Sequence, residues 1–319
     1  MDIELTQDHL IELTELVAAI ENFDEAPFRT MPSELLQYFD EDFETRTIGY
    51  EFDGVLAGYG VVRMPHGEGN LRCSGGIHPS YRGEGLGTKL VEWFEKAAQE
   101  LAGNDSAAVM EIHVEESRDE LSDILSRKGF KITSGYVQFR RDLSVEREEI
   151  EAPHLFELRS WSEVEGTDME LSYREHIGPE VSLINDRFFV PEWSFVLIDK
   201  HTDRSKIAAF LLSHRYEQDW EASGWTEGYT EVLSVQPEYR GLHLATYLLN
   251  VVADVYQKDG MQYATVDLES DQHGHSDLEP LFSSLDYEPT RHTKVYTRRV
   301  FKKKSIRPVL PKSAPPPAN

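Results

Sequence analysis

The chain has 319 residues, a formal net charge of −26, 39% hydrophobic residues and a single cysteine. One hydrophobic core rarely serves more than about 250–300 residues, so this length predicts two domains. A single cysteine excludes an internal disulfide and a thiolate metal cluster, and no apolar run is long enough to span a membrane. The acidic start, MDIELTQDHL, is unlike a secretory signal, so we expect a cytoplasmic protein.

Acidic residues dominate the chain except at its end. From Arg291 onward there are nine Lys and Arg and no Asp or Glu. An acidic body repels nucleic acid, which requires a basic footprint, and attracts cationic small molecules. Solubility in salt is the alternative explanation. Residues 302–319 begin basic and end Pro-rich, so we expect a solvated tail.

The first half predicts a mixed order of helices and strands. Apolar residues recur at helical spacing over 7–22, and Pro32 is typical of the first turn of a second helix. Asp53-Gly54 is a hairpin signal between two strand-like runs, and NLRCSGGI predicts a third strand. A long amphipathic helix is expected from about Gly85. A strand in AAVMEIHV, a helix in DELSDILSRK and a strand in FKITSGYVQFRRDL follow.

The second half repeats this order after a charged segment, 144–154, which lacks periodicity and which we interpret as a linker. Helical patterns fill about 162–188, and strands are expected in SFVLIDK, in KIAAFLLSHRY after the turn HTDRS, and in TEGYTEVLSV. A long helix from about Leu242, a strand in YATVDLES, a helix in HSDLEPLFSSL and a strand in KVYTRRVF complete it. An order repeated about 160 residues later indicates duplication or fusion of two related domains.

Two segments carry the repeat most clearly. IHPSYRGEGLGTKL (77–90) and VQPEYRGLHLATYL (235–248) share Pro, Tyr, Arg, Gly and Leu at matching positions. The sequence therefore predicts an N-terminal domain over 1–143, the linker 144–154, a C-terminal domain over 155–301 and the tail 302–319.

Both segments lead from a strand through a glycine-containing turn into a long helix. Glycine adopts backbone conformations that a Cβ forbids, and a helix N-terminus presents unpaired amides and a partial positive charge. That combination favours a pyrophosphate. The glycine spacing and the antiparallel-looking strands before the turn differ from those of a Rossmann loop.

At these residues the chain resembles the GNAT N-acetyltransferase superfamily, whose signature Arg/Gln-x-x-Gly-x-Gly/Ala cradles the pyrophosphate of acetyl-CoA. Arg82, Gly85 and Gly87 match it. In the second copy Arg240 and Ala245 match, whereas His243 replaces the middle glycine. The resemblance implies an α/β fold of the α+β type, with two GNAT-like modules. Each would have a mixed, mostly antiparallel, splayed central sheet flanked by helices.

The resemblance also implies acetyl-CoA as co-substrate, and because the chain shows no helix-spaced HExxH pattern or distant Cys pair, we expect no metal. The splayed strands would leave edge amides for the pantetheine arm, and the amide of Ile77 or Val235 would hold the acetyl carbonyl. The cofactor-binding residues implied in the first copy are Ile77, Arg82, Gly83, Glu84, Gly85, Leu86, Gly87 and Thr88. Those implied in the second copy are Leu233, Ser234, Val235, Arg240, Gly241, Leu242, His243, Leu244, Ala245 and Thr246.

Glu231 is the candidate general base, because amine acetylation requires a group that removes a proton from the ammonium. Glu227, Tyr229 and Glu231 alternate along one strand and are expected to face one side. Glu231 precedes Arg240 by nine residues, a common position for the family's glutamate, whereas Cys73 holds the matching position in the first copy. We therefore expect catalysis in the C-terminal domain. An exposed charge on a strand face is the alternative for Glu231.

The general acid stays open at this point. Neither copy has a tyrosine at the position the family often uses, which leaves Ser283, Ser284, Tyr296 or water. The polar run Asp271–Asp277 holds possible metal ligands, but its spacing favours a polar loop.

The expected function is acetyl-CoA-dependent transfer to the amine of a small, cationic molecule. One alternative is acetylation of a cysteinyl pseudodisaccharide, since the stretch Glu269-Ser270-Asp271-Gln272 is partly similar to mycothiol synthase. Another is a non-catalytic protein that binds or senses acetyl-CoA. We expect no nucleic-acid or membrane partner. The acceptor, the acyl chain length and the oligomeric state, including a homo-oligomer, stay open.

Overall fold

A computed structural model of the protein describes residues 1–40, 43–64, 70–103, 105, 107–146, 150–166, 170–178, 181–201 and 207–300. The expected tail 302–319 and most of the predicted turn HTDRS lie outside these residues.

Helices and strands of the first half follow the predicted order, with a two-residue strand, β1, added at the start. Their bounds are β1 Asp2–Ile3, α1 Leu10–Phe23, α2 Pro32–Leu36, β2 Glu44–Phe52, β3 Val55–Met64, β4 Asn70–Ile77, α3 Leu86–Ala102, β5 Val109–Glu115, α4 Asp119–Arg127 and β6 Lys131–Asp142. The hairpin prediction is confirmed, because Asp53 and Gly54 join β2 to β3 with φ of 50° and 78°.

The second half repeats the order with additions. Its bounds are β7 Phe156–Ser160, α5 Trp161–Val164, α6 Glu170–Ile177, α7 Val181–Ile184, β8 Phe195–Asp199, β9 Ile207–His214, α8 Glu217–Ser223, β10 Glu227–Val235, α9 Leu244–Lys258, β11 Tyr263–Ser270, α10 Glu279–Ser283 and β12 Glu288–Arg299. Among the described residues of 162–188 the helical prediction is met by three short helices, α5, α6 and α7, whereas β7 and α8 have no counterpart in the prediction. Elements this short carry too few turns to show a period.

The described residues form one twelve-stranded sheet rather than two separate ones. Its order is β1-β2-β3-β4-β5-β12-β6-β11-β10-β9-β8-β7. The last strand of the second half, β12, lies between β5 and β6 of the first half and is antiparallel to both. Reciprocally, β6 pairs with β11 over eight residues, from Tyr263↔Asp142 to Ser270↔Gly135. The two halves therefore exchange their final strands across a pseudo-twofold axis.

The exchanged strands also fill each other's cores. Tyr296 of β12 is 4% exposed and packs among side chains of α3 and β5. Val137 and Phe139 of β6 are buried in the core beneath α9. Neither half of the chain therefore contains all the side chains of its own core. The division at 144–154 stays a prediction about the chain, and the exchange means that it does not divide the sheet.

Each half has a splayed pair of parallel strands, as the resemblance implies. Strands β4 and β5 pair only from Asn70↔Val109 to Arg72↔Glu111. Strands β10 and β11 pair only from Glu227↔Tyr263 to Thr230↔Val266. Beyond those pairs the strands diverge. We call the gap between 73–77 and 112–115 the first cleft, and the gap between 231–235 and 267–270 the second cleft.

Candidate active site

The turn after β10 presents backbone amides at the start of α9. Pro237–Tyr239 form a short 3₁₀ turn, and Gly241 and His243 follow with φ of 80° and 58°. Residues 241–243 are exposed, whereas Leu244 is buried and anchors the helix. The first unpaired amides of α9 and its positive dipole end consequently face solvent beside the second cleft.

The turn before α3 has the same backbone path. Gly83 and Gly85 have φ of 83° and 86°, and the start of α3 is anchored by buried Leu86. His243 therefore occupies the left-handed position that Gly85 occupies in the first copy. A left-handed conformation costs a non-glycine residue roughly 1 kcal/mol, and this site accepts that cost without losing the turn.

The two arginines of these turns have different surroundings. Arg82 donates from both terminal nitrogens to Asp24, at 2.6 and 2.7 Å, and from Nε to the Ile77 carbonyl at 3.0 Å. Asp24 also accepts from Arg118, which follows β5. Its carboxylate is only 4% exposed, and these two guanidinium groups hold its pKa down at about 2, against the opposing effect of burial. The Asp24 carboxylate therefore pairs with both arginines beside the first cleft, Arg82 after β4 and Arg118 after β5.

Arg240, in contrast, is exposed, and its guanidinium forms no hydrogen bond or ion pair with the described residues. Its charge is free to meet a phosphate. The loop with the weaker sequence match therefore has the more available arginine, and the loop with the full match has its arginine engaged.

Backbone amides point into both clefts. The amide of His78 donates to Ala57 in β3, and the amide of Gln236 donates to Ala208 in β9. Successive amides of a strand point to opposite sides. The amides of Ile77 and Val235 consequently point away from those partners, toward β5 and β11 respectively. Each lies where the resemblance puts the group that would hold the acetyl carbonyl.

A β-bulge distinguishes the second copy from the first. The pairing of β10 with β9 shifts between Thr230 and Val232, so Glu231 is the extra residue. Because of this extra residue, Glu231 and Val232 both lie on the sheet face opposite α9, where Tyr216 lies, whereas Leu233 and Val235 pack on the α9 side. The pairing of β4 with β3 is regular from Gly58↔Ile77 to Arg63↔Arg72. Cys73 consequently points into the core under α3, is 4% exposed, and burial raises the pKa of its thiol to about 12.

Glu231 meets two groups that the sequence analysis did not identify. Its Oε2 accepts a hydrogen bond from the Tyr216 hydroxyl at 3.0 Å and lies 3.7 Å from Nδ1 of His214. The ring of Tyr229 packs 5.4 Å from that of Tyr216. Burial raises the pKa of Glu231, which His214 and the Tyr216 hydroxyl oppose. A carboxylate with a raised pKa is the usual form of a general base that works near neutral pH.

Tyr216 and His214 precede α8 and were missed because they come from a neighbouring strand end, not from the motif. In the sequence, the residues SHRY (213–216) indicate only the end of a strand and carry no sign of a functional role. Tyr296, one of the open candidates for the acid, lies in the core of the first half and is remote from the second cleft. The structure therefore gives Tyr296 no part in this site.

The first half also borders the second site. The segment between α1 and α2 lies against α8, where the amide of Arg29 donates to Asp219 Oδ1 at 2.7 Å. Burial and the carboxylates of Glu227, Glu34 and Glu21 raise the pKa of Asp219 to about 6. Acidic side chains from both halves therefore crowd the face that carries Glu231.

Two further findings concern ligands and membranes. In the part of the chain that the structure describes, no three His, Cys, Asp or Glu side chains are grouped to hold a metal ion. Within the same residues, no helix combines the length and the apolarity that a membrane crossing requires.

Comparison with known proteins identifies the class of fold. Residues 12–122 match the family model described as "Acetyltransferase (GNAT) family". This match lies within the first half, and the described sheet, splayed twice, shares its fold with a tandem GNAT protein. No curated protein matches the chain.

Solved structures extend the likeness over both halves. A GCN5-related N-acetyltransferase from Sphaerobacter thermophilus is 19% identical, with a TM-score of 0.69 over 94% of this chain and 95% of its own. A tandem GNAT protein from the clavulanic acid biosynthesis pathway is 12% identical, with a TM-score of 0.69 over 95% and 99%. A GCN5-related glucosamine N-acetyltransferase region of a fungal β-N-acetylglucosaminidase is 14% identical, with a TM-score of 0.67 over 93% of this chain and 38% of that one. At these identities the likeness establishes the shared fold.

Proposed function

We propose that the protein is an acetyl-CoA-dependent N-acetyltransferase that binds one acetyl-CoA per chain in the second cleft and acetylates the amine of a small cationic molecule. The observation that carries this proposal is the bulge in β10. It leaves Glu231 on the sheet face opposite α9, beside a splayed strand pair and Arg240, whose guanidinium has no partner among the described residues. The first copy has a splayed strand pair but lacks the other two features, because Cys73 is buried and Arg82 is engaged by Asp24.

The residues of the second cleft divide the chemistry between them. Acetyl-CoA would supply an activated thioester. The amides at the start of α9 and the Arg240 side chain would bind its phosphates. The Val235 amide would donate to the carbonyl that gains negative charge as the amine attacks. Glu231 would take the proton that the ammonium must lose before or during that attack.

A cationic acceptor is supported by the charge around Glu231. Burial raises the pKa of Asp219, and repulsion from the nearby carboxylates of Glu227 and Glu34 raises it further; the whole chain is also strongly acidic. An amine with a second positive charge would relieve that repulsion on binding. A polyamine, an aminoglycoside-like amine or an amino-sugar conjugate has this chemistry. The cysteinyl pseudodisaccharide is the alternative acceptor and belongs in the same screen.

Calorimetric titration with acetyl-CoA locates the cofactor. We expect a stoichiometry of one for the wild type and for Gly87→Trp, and loss of binding for Ala245→Trp. The two substitutions put the same side chain at matching helix positions of the two loops. Circular dichroism melting of each variant checks that the indole has not unfolded the chain, which matters at Gly87, where an added Cβ would meet Ile124 at 3.5 Å. Loss of binding in Gly87→Trp alone would place the cofactor in the first cleft and overturn the proposal.

Turnover separates an enzyme from a cofactor sensor. The proposal expects acetylation of at least one amine in a screen of spermidine, an aminoglycoside, glucosamine and the cysteinyl pseudodisaccharide. It expects Glu231→Gln to reduce kcat by about 100-fold or more while acetyl-CoA still binds. Tight binding of acetyl-CoA without turnover of any amine would favour a cofactor sensor. The sensor is the second candidate because His243 replaces the middle glycine of the signature.

A further inference from the structure

Three side chains form a continuous hydrogen-bonded chain that leads from the candidate base into the protein. Glu231 Oε2 lies 3.0 Å from the Tyr216 hydroxyl, and that hydroxyl lies 2.9 Å from Nδ1 of His214. Nε2 of His214 lies 3.1 Å from the carbonyl oxygen of Leu183. The exposed fraction falls from 28% at the Glu231 side chain to 1% at His214. The chain is therefore open to the cleft at one end and closed to solvent at the other.

The partners fix which atoms carry protons. The Leu183 carbonyl can only accept, so Nε2 of His214 must donate to it and carries a hydrogen. The Tyr216 hydroxyl has one hydrogen to share between Glu231 and Nδ1. When Glu231 is ionised and accepts from Tyr216, a proton on Nδ1 satisfies the remaining contact. When Glu231 is protonated, it donates to Tyr216, and Tyr216 donates to Nδ1. One extra proton can therefore reside either on Glu231 or on Nδ1 of His214, with every contact of the hydrogen-bonded chain satisfied.

We propose that Tyr216 and His214 form a proton relay with Glu231, in which His214 takes up a proton that Glu231 removes from the acceptor amine. The catalytic part of this inference rests on the proposed function. Tyr216 gives one proton to His214 as it receives another from Glu231, so the tyrosine never becomes a tyrosinate. Burial and the nearby Glu231 carboxylate raise the pKa of Tyr216, which agrees with a hydroxyl that exchanges protons without ionising.

The relay matches the number of protons that the reaction releases. An ammonium group loses two protons as it becomes an amide: one before its lone pair can attack, and one after the N–C bond has formed. Glu231 receives the first proton and passes it through Tyr216 to His214, which leaves Glu231 ionised for the second. As the C–S bond breaks, the leaving thiolate takes one proton back. The other proton passes to solvent, so each cycle releases one proton and restores the starting state.

The charges around the relay favour proton uptake. Asp267 of β11 and Asp186, which follows α7, both raise the pKa of Glu231 by repulsion. Glu34 of α2 also acts on Tyr216, and Tyr229 of β10 contributes a hydroxyl to the same face. A proton that the relay passes to His214 would place a positive charge within this acidic surrounding.

Tyr216→Phe tests the relay with the least change of shape. With spermidine and acetyl-CoA, we expect kcat to fall about tenfold to a hundredfold and KM to change less than about twofold. We also expect the acid limb of the pH profile of log kcat/KM to change slope from two toward one, because only Glu231 then takes up protons. Tyr50→Phe is the matched control. The Tyr50 hydroxyl is buried in the first half without a hydrogen-bond partner among the described residues, so its loss should leave the profile unchanged.

A second measurement needs no turnover and separates this inference from the proposed function. The ring nitrogens of His214 are followed by nuclear magnetic resonance between pH 5 and 9, with His214→Gln as the assignment variant. We expect one ring nitrogen to titrate in the wild type and the midpoint to fall in Glu231→Gln, because the imidazolium then loses its carboxylate partner. A His214 ring that stays neutral throughout, or a midpoint that is the same in Glu231→Gln and Tyr216→Phe as in the wild type, would overturn the relay even if the enzyme acetylates amines.

Discussion

Asp24 shows how one side chain changes the meaning of a motif. The signature assigns Arg82 to a phosphate, whereas the structure gives both of its terminal nitrogens to the Asp24 carboxylate. Arg118 adds a third charged hydrogen bond from the far side of the first cleft. Asp24 lies at the end of α1, 58 positions before Arg82, so no local pattern could reveal the contact.

Stability at low pH should report this ion triad. The pKa of Asp24 is lowered to about 2 in the folded chain from 3.8. A carboxyl with a lowered pKa stabilises the fold fully above the unfolded value and loses that contribution as the pH falls from about 4 toward 2. We expect Asp24→Asn to unfold more easily than the wild type by about 2 kcal/mol at pH 7, a difference that falls to well under about 1 kcal/mol near pH 2 and vanishes below it. Urea unfolding at a series of pH values measures it.

Glu25→Gln is the control for that experiment. Glu25 is the exposed neighbour of Asp24, and no described partner pairs with its side chain. The substitution should therefore change the free energy of unfolding by less than about 0.5 kcal/mol at any pH. An Asp24→Asn difference that did not vary with pH would mean that the carboxylate is not ionised in the fold.

Strand β10 contains a β-bulge whose position depends on the neighbouring strand and not on its own sequence. The sequence aligns Glu231 with Cys73, and simple alternation along a strand predicts the facing of Glu227, Tyr229 and Glu231. That alternation does not reveal the bulge, which keeps both Glu231 and Val232 on the face opposite α9. Bulges depend on pairing with the neighbouring strand, so a single-strand pattern cannot place them.

Cys73→Glu therefore should not create a second active site. Without a bulge, the new carboxylate would point into the core under α3, and its burial without a partner should cost about 3 kcal/mol or more. Ser74→Glu, one residue along and exposed, should change the free energy of unfolding by less than about 0.5 kcal/mol. Thermal melting of the two variants gives the comparison. Equal stability of both would mean that β4 can shift its register.

How far the sequence predicts these elements depends on length and on locality. The amphipathic helices α3 and α9 carry four turns or more, so their period was clear. The hairpin at Asp53-Gly54 is set by two adjacent residues. The exchange of β6 and β12 has no such local signal, because both strands have the same alternating pattern whichever neighbour they pair with. Tyr216 reached the site in the same non-local way, from the segment before α8.

At the scale of the whole molecule, the exchanged strands join the two halves into one structure. Because β12 completes the core under α3 and β6 completes the core under α9, neither core should survive the unfolding of the other. We expect a single calorimetric transition whose van't Hoff enthalpy equals its calorimetric enthalpy, despite the length of the chain. Two resolved transitions would show that each half can keep its core without the exchanged strand. A chain ended at Tyr287, which lacks β12, should lose the near-ultraviolet signal of both halves.

Net charge belongs to the whole molecule too, and it gives the prediction most specific to the acceptor. A chain with a formal net charge of −26 concentrates cations at its surface, and salt screens that attraction over about 10 Å at 0.1 M. For spermidine we expect KM to rise about tenfold between 50 and 500 mM NaCl while kcat stays constant. For an aromatic amine that is neutral at the assay pH, KM should not change. Glu12→Gln with Glu15→Gln, on the exposed face of α1, tests the body charge, and Glu34→Gln tests the site. If Glu34→Gln reduces the effect of salt on KM and the double substitution in α1 does not, the attraction is due to carboxylates beside Glu231. Equal effects of salt on the KM of the charged and the neutral amine would remove the charge argument for a cationic acceptor.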